Sequence, residues 1–284
     1  MGLSRGRDAA AREIILLGAL AELRTAAAGQ GIEVVPLKGA ALLELGLYRP
    51  GERGMSDVDL LARPQDLAAL EKVLSGLGYR PMPESADAWV RPSPGAAPPA
   101  VMDLHTDLWH IKDTGALFEW GLEPGPGGLY PGFPDLFLHA AAHPLLHHGE
   151  FTRRALEDCA RIARLAPGGA ERFWALTSRK ARLYGLRPVV WPALKRLGTL
   201  VPERALEELR PRGPEKIKAA FFEKAAARGS VLLEYLLPAL YRPELVLKYA
   251  APSKRFMLRR YGAASTAVYA LRPFRLLRSL FRRA

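Results

Sequence analysis

The sequence predicts an α+β fold: a small mixed sheet with flanking helices, followed by an all-helical C-terminal region. Three short runs rich in apolar and β-branched residues, 32–37, 55–62 and 101–108, fall between helix-like segments in the first half of the chain. A Gly/Pro cluster over 121–134 follows them, and everything beyond it reads as helix punctuated by Gly and Pro. With 284 residues and 49% hydrophobic content, the chain can bury at least one sizeable core. The expected division is an α/β domain over 1–125, a helical domain over 135–250 and a basic amphipathic tail over 251–284.

Residues 8–28 are rich in Ala, Leu, Glu and Arg, with apolar positions at Ile14, Leu17, Leu20, Ala21 and Leu23 that suit an amphipathic helix closed by Gly29 and Gly31. Residues 32–37 read as a strand, Lys38-Gly39 as a turn, and 40–47 as a helix ending before Arg49-Pro50-Gly51. A second strand is expected over 55–62, and Pro64 opens a helix running to Gly76 or Gly78. The Pro-rich stretch 79–100 suits a hairpin, and 101–108 is the third principal strand. The cluster 121–134 is expected to carry neither helix nor ladder, and so to mark a boundary. Helices are expected over 135–165, 170–184, 187–198, 203–210, 214–226 and 229–240, with no fixed-period repeat.

Composition narrows the function classes. A single cysteine, Cys159, excludes an intramolecular disulfide framework and a multi-cysteine metal site, and reads as a small apolar filler in a helix. The stretch from Ile14 to Leu20 is bracketed by Glu13 and Glu22, so it reads as a helix and not as a signal peptide; a cytoplasmic location is expected. The formal charge is +12, but ten Lys and Arg residues follow Glu244, the last acid, which leaves only +2 for residues 1–244. The basicity therefore speaks about the tail and not about the body.

Chemistry concentrates in Arg53-Gly54-Met55-Ser56-Asp57-Val58-Asp59-Leu60-Leu61. Strand alternation puts Asp57 and Asp59 on one face and Val58 and Leu60 on the other. Two carboxylates converging in this way repel one another unless a cation sits between them, and Mg²⁺ prefers such oxygen ligands. A two-ion arrangement calls for a third acid. Val101-Met102-Asp103-Leu104-His105 supplies Asp103, which shares a strand face with His105; Asp107 is a weaker substitute nearer the strand end.

Asp-x-Asp alone recurs on solvated strand edges, but three ordered motifs are far more specific. Leu37-Lys38-Gly39, the Arg53 to Leu61 run and Met102-Asp103-Leu104-His105 together resemble an uncharacterised bacterial nucleotidyltransferase family of the DNA polymerase beta-like superfamily. The resemblance covers residues 30–165 and extends loosely over the helical remainder. It implies a polymerase beta-like nucleotidyltransferase core, with Asp57 and Asp59 as paired ligands of Mg²⁺ (or Mn²⁺) and Asp103 as the third carboxylate. It also places Lys38, Gly39, Arg53 and Ser56 as nucleotide contacts. Lys38-Gly39 stands where better-known superfamily members carry Gly-Ser, so a mobile ammonium replaces a hydroxyl at the triphosphate turn.

His139, His143 and His147 fall at i, i+4 and i+8 on one helix face, which is metal-ligand spacing, although Pro144 is expected to interrupt that helix. The reading preferred from sequence is that His139, His143 and Asp158 link the helical domain to the back of the active cleft. The expected function is transfer of a nucleoside monophosphate from a nucleoside triphosphate to an unidentified acceptor. The alternative is a catalytically weak or inactive nucleotide-binding protein, acting as a regulatory or membrane-surface adaptor. In the tail, Phe274, Leu277, Leu280 and Phe281 recur at helical spacing opposite Arg275, Arg278, Arg282 and Arg283, a pattern suited to peripheral contact with an anionic membrane and less suited to nucleic acid.

Overall fold

The structure is a computed structural model that describes residues 2–82, 85, 87–93, 95, 97–108 and 115–228, and in the C-terminal part 241, 254, 257–258, 262 and 264–272. The amphipathic pattern read over 273–284 and the helix expected over 229–240 lie outside the described residues. The chain forms two compact units, one of Met1–Leu108 and Asp113–Gly132, the other of Trp109–Lys112 and Phe133–Ala284.

The first unit begins with helix α1 (Gly2–Ala28), continues through β1 (Val35–Pro36) and α2 (Lys38–Glu44) to β2 (Val58–Leu61), and then enters a 3-10 turn at Pro64–Asp66 and α3 (Leu67–Gly76). Next come β3 (Arg80–Pro81), β4 (Ala88–Arg91), β5 (Ala100–His105), α4 (Gly115–Trp120), β6 (Leu122–Gly125) and β7 (Gly128–Pro131). Strands one to five make one mixed sheet in the order β1-β2-β5-β4-β3, and only the β2–β5 pair is parallel. Met102 and Leu104 of β5 are buried while Val101, Asp103 and His105 are half-buried, so one face of the strand is covered and the other is open to chemistry. Helix α1 packs against α3, β2 and β5.

The buried face of α1 differs from the expected one. Ile14 is 63% exposed and Ala21 is exposed, whereas Glu13, Leu16, Leu20, Leu23 and Ala27 form the covered stripe. The helix is rotated so that a carboxylate heads its apolar face, because the Glu13 oxygens accept backbone N–H groups from the loop that follows α2. The first strand is also shorter than the run 32–37, since only Val35 and Pro36 pair with β2 before the chain turns at Lys38.

The Gly/Pro cluster, expected to carry no ladder, forms one. Strands β6 and β7 pair antiparallel around the two-residue turn Pro126-Gly127. A two-stranded ribbon needs few backbone donors, so Pro124 and Pro131 are tolerated within it. Side chains supply the hold that the ladder lacks. Tyr130 is buried, and its hydroxyl donates to Glu44 Oε2 (2.9 Å) and accepts from Arg24 Nη1 (3.1 Å) and the Gly127 N–H (3.1 Å). Arg24 also pairs with Glu44 at 2.8 Å and lies with its guanidinium 4.9 Å from the Tyr130 ring centroid.

The second unit is helical: α5 (Phe133–His148), α6 (Arg153–Leu165), α7 (Gly169–Leu183), α8 (Arg187–Leu197), α9 (Glu203–Leu209) and α10 (Glu215–Arg228). The segment expected as one helix over 135–165 breaks at Gly149, whose φ of 66° ends α5, and restarts where Thr152 accepts the Ala155 N–H as N-cap of α6. Pro144, in contrast, does not interrupt α5. It forgoes one backbone bond, and the dense burial of Leu138, Ala141, Ala142, Leu145 and Leu146 around it keeps the helix whole. Phe137, Phe173 and Trp174 meet edge-on with centroids 5.0–5.7 Å apart, beside a buried Asp135 paired with Lys180. Cys159 is a buried filler, as expected. Among the described residues no helix is long and apolar enough to cross a membrane.

Replacing Arg24 with Met keeps the aliphatic stem but leaves the Glu44 carboxylate without its cation, with the Tyr130 hydroxyl still donating to it, and should lower unfolding free energy by about 3 kcal/mol in urea melts. A loss indistinguishable from zero would show that the ribbon is held by packing alone.

Candidate active site

The register of β2 on β5 decides the site. Val58 pairs with Met102, Asp59 with Asp103 and Leu61 with His105, so two carboxylates stand side by side on neighbouring parallel strands. The Ala62 N–H, bonded to the His105 carbonyl at 2.9 Å, fixes the register at the strand ends. Ligand atoms of Asp59, Asp103 and His105 all lie within 4.8 Å of one another.

Asp59 is 6% exposed, and an uncompensated carboxylate there would be costly. Two cationic groups answer it. The Lys38 ammonium lies 2.6 Å from Asp59 Oδ1, and His105 Nε2 lies 3.0 Å from the same oxygen and 3.4 Å from Asp103 Oδ2. Burial would raise the Asp59 carboxyl, but the His105 and Lys38 contacts overcome it and hold the group well below the usual carboxylate range. Burial likewise works against the charged form of His105, and the flanking Asp103 and Asp59 outweigh it and push its pKa up to about 9.

Lys38 reaches Asp59 because of an unusual backbone. It opens α2 with φ 47°, the one non-glycine residue with positive φ among the described residues. This left-handed conformation costs on the order of 1 kcal/mol or more. The Leu37 N–H donates to the Asp59 carbonyl at 2.9 Å, which ties the turn to β2 and brings the lysine across the strand. A Cβ at Gly39 would meet the Arg53 guanidinium, which would have to move aside, and would press on the Met55 Cβ.

Asp57 sits at the head of β2, outside the Asp59/Asp103/His105 group. Burial first, and then the Asp59 charge, raise its carboxyl above the usual range, while the Ser56 hydroxyl, donating at 2.9 Å, works the other way. Asp103 and Lys38 also act on it, so it belongs to the same electrostatic cluster.

Sequence reasoning missed the residues that hold the loop before β2. Glu13, fully buried, accepts the Gly51 N–H at 2.6 Å and the Gly54 N–H at 2.7 Å, both from glycines with positive φ. Arg12 Nη2 donates to the Ser56 carbonyl at 3.0 Å. The signal was present, since Glu13 precedes Leu16, Leu20 and Leu23 by 3, 7 and 10 positions and so lies on their stripe. An acid on an apolar stripe has a partner to satisfy.

The donor set suits a hard divalent ion. Carboxylate oxygens of Asp59 and Asp103 converge, a third acid stands at the strand head, and the site already draws two cationic side chains onto one oxygen. Mg²⁺ and Mn²⁺ fit such oxygens.

Two expectations follow. Glu13→Gln exchanges one acceptor oxygen for an amide donor facing a backbone N–H; it should cost about 2 kcal/mol and speed hydrogen exchange at Gly51 and Gly54, and unchanged exchange would remove Glu13 from the loop's support. The second concerns pH. His105 has a folded value of about 9 against 6.5 ordinarily, so its contribution to metal-free stability is complete below about pH 6.5 and lost as pH rises through about 9. Thermal midpoints of the wild type should fall across that window relative to His105→Gln, and parallel profiles would contradict the assignment.

Comparison with curated proteins and with solved structures finds no match. The family described as uncharacterised nucleotidyltransferase matches residues 3–202, which spans the sheet, the loop held by Glu13, the acidic cluster and most of the helical unit's described part. Covering well over half of the chain, that match establishes that the protein belongs to this nucleotidyltransferase family.

Proposed function

We propose that the protein transfers a nucleoside monophosphate from a nucleoside triphosphate to a hydroxyl or phosphate acceptor, releasing pyrophosphate. The observation that carries this reading is Asp59 set opposite Asp103 on adjacent parallel strands, with Asp57 at the head of the same strand. Asp57, Asp59 and Asp103 are the residues to hold Mg²⁺ or Mn²⁺, which when bound supplies charge neutralisation of the phosphates and lowers the pKa of the acceptor.

The chain's own groups divide the remaining work. In the reaction the acceptor oxygen forms a bond to the α-phosphorus as the bond from that phosphorus to the pyrophosphate oxygen breaks. Asp103, the more exposed of the paired acids, takes the acceptor proton, and His105, close to both carboxylates, keeps it oriented. Lys38 and Arg53, whose guanidinium lies beside Gly39, bind the triphosphate, with Lys38 as a mobile point charge and Arg53 as a planar fork. Ser56 fixes the rotamer of Asp57.

A second reading rests on the Lys38–Asp59 ion pair, which fills a ligand oxygen with an ammonium. On that reading the chain binds nucleotide as a regulatory module without turnover. Pyrophosphate release separates the two.

Asp59→Asn should abolish pyrophosphate release in the presence of Mg²⁺ or Mn²⁺ while leaving far-UV circular dichroism unchanged. Lys38→Ala should weaken binding of a triphosphate by about 2 kcal/mol and of a monophosphate by clearly less, measured by calorimetry. Turnover surviving in Asp59→Asn would end the catalytic assignment, and equal losses for both nucleotides would make Lys38 a structural residue only.

A further inference from the structure

Helix α5 ends on a group of histidines that the acidic cluster does not use. His139, His143 and His147 recur one turn apart and stack, with centroids 5.0 Å apart at 22° for the first pair and 4.8 Å at 18° for the second. His148 turns its ring across the end of the stack, 5.3 Å from His143 at 81° and 4.8 Å from His147 at 70°. One ligand nitrogen from each of His143, His147 and His148 lies within 4.8 Å of the other two. His139, the buried inner ring of the ladder, is outside that trio.

We propose that His143, His147 and His148 form a binding site for one borderline divalent transition-metal ion, Zn²⁺ in the first place, sharing no residue with the acidic cluster of β2 and β5. The spacing read from sequence selected His139, His143 and His147; the fold replaces His139 by His148. Three residues at i, i+4 and i+5 converge because the third ring stands roughly perpendicular to the other two.

Distance and chemistry agree. Zn–N bonds are about 2.0–2.1 Å, which places two imidazole nitrogens on one tetrahedral ion roughly 3.4 Å apart. Closing from 4.8 Å or less to that spacing takes shifts of about 1 Å per ring, within reach of small χ rotations. All-imidazole ligation suits Zn²⁺, Ni²⁺ or Cu²⁺ and not the oxygen-seeking Mg²⁺, so the two sites differ in the ion they select. Three protein ligands leave a fourth position for water, as in open zinc sites, and the exposed His148 gives the ion an entry.

The place in the fold adds a second argument. The trio occupies the last two turns of a 16-residue helix, where the carbonyl end of the dipole favours a cation. Gly149 closes the helix at φ 66° with its N–H on the Leu145 carbonyl, and the Glu150 N–H reaches the Pro144 carbonyl, so this end is held firmly.

The test uses the full chain carrying Asp59→Asn and Asp103→Asn, so that the acidic cluster is silent, and titrates Zn²⁺ against a chromophoric chelator. One equivalent of Zn²⁺ should bind, and Co²⁺ in its place should give the intense visible absorption of a low-coordinate nitrogen site. Added His147→Gln should weaken Zn²⁺ at least about tenfold, since even residues behind a ligand cost that much, while Mn²⁺ binding by the chain with intact acids stays unchanged in His147→Gln. His148→Gln, at the exposed end, provides the same reading should His147→Gln fail to fold. Zn²⁺ affinity equal to the parent in both variants, or Co²⁺ spectra of a hexa-aquo ion, would leave the histidines as a packing ladder and overturn the site.

Discussion

Two carboxylates placed opposite each other on adjacent strands, about 5 Å apart, impose a charge problem that the first unit is built to answer. The parallel register of β2 on β5 cannot slip by one residue without sending one of Asp59 and Asp103 to the opposite face and parting the pair. Given that register, neutralisation must come from outside the two strands or from further along them. His105, two residues beyond Asp103 on the same face, is one source. Lys38 is the other, and it reaches Asp59 only from a left-handed backbone that ordinary side chains avoid. The strain at Lys38 is thus retained by the ion pair that it makes possible. The same turn leaves the Arg53 guanidinium beside Gly39.

Helix α1 is the frame on which these pieces are mounted. Glu13 and Arg24 lie 11 residues apart, about three turns and roughly 16 Å along the axis. The first holds the loop that leads into β2 by two backbone amides, and the second holds α2 and the β6–β7 ribbon through Glu44 and Tyr130. Each is a charged group drawn under cover and satisfied by several partners, which is the arrangement that makes buried charge tolerable. Loops rich in Gly and Pro have little ladder of their own, so their positions depend on such side-chain anchors. The loop before β2 and the β6–β7 ribbon are therefore held from two points on one helix, its middle and near its C-terminal end.

Much of this was legible in the sequence, for identifiable reasons. The alternation around Asp57-Val58-Asp59 and Met102-Asp103-Leu104 marked the strands and their polar face, and three ordered motifs marked the fold. The pairing of Asp59 with Asp103 needed only that the two strands be neighbours. What could not be read depended on orientation in space. The covered stripe of α1 was displaced because Ile14 looked like a core residue while a glutamate took the core position. The ribbon at 122–131 was hidden because its stability lies in a tyrosine and an arginine more than 100 residues apart, and not in the local propensities of Gly and Pro. Pro144 suggested a break that dense helix packing overrides. His148 was passed over since periodicity favours i+4 and says nothing of a ring that turns across the end of a helix.

The charge balance of the site explains why a nearly neutral body suits the proposed reaction. Lys38 and His105 both lie on Asp59, and Asp57 and Asp103 belong to the same electrostatic cluster, so much of the negative charge is answered before any substrate enters. A cluster balanced in this way gains little by taking up an anion alone, which would disturb the Lys38–Asp59 pair, or a cation alone, which must compete with the ammonium and the imidazolium for the same oxygens. Under the proposed function it gains most from the two together, because a triphosphate would draw Lys38 and Arg53 toward its phosphates while the vacated carboxylate oxygens would accept positive charge. The Gly-Ser turn of better-known superfamily members adds no charge to this exchange, whereas Lys38 does. Under the proposed function the lysine therefore couples phosphate binding to the freedom of Asp59.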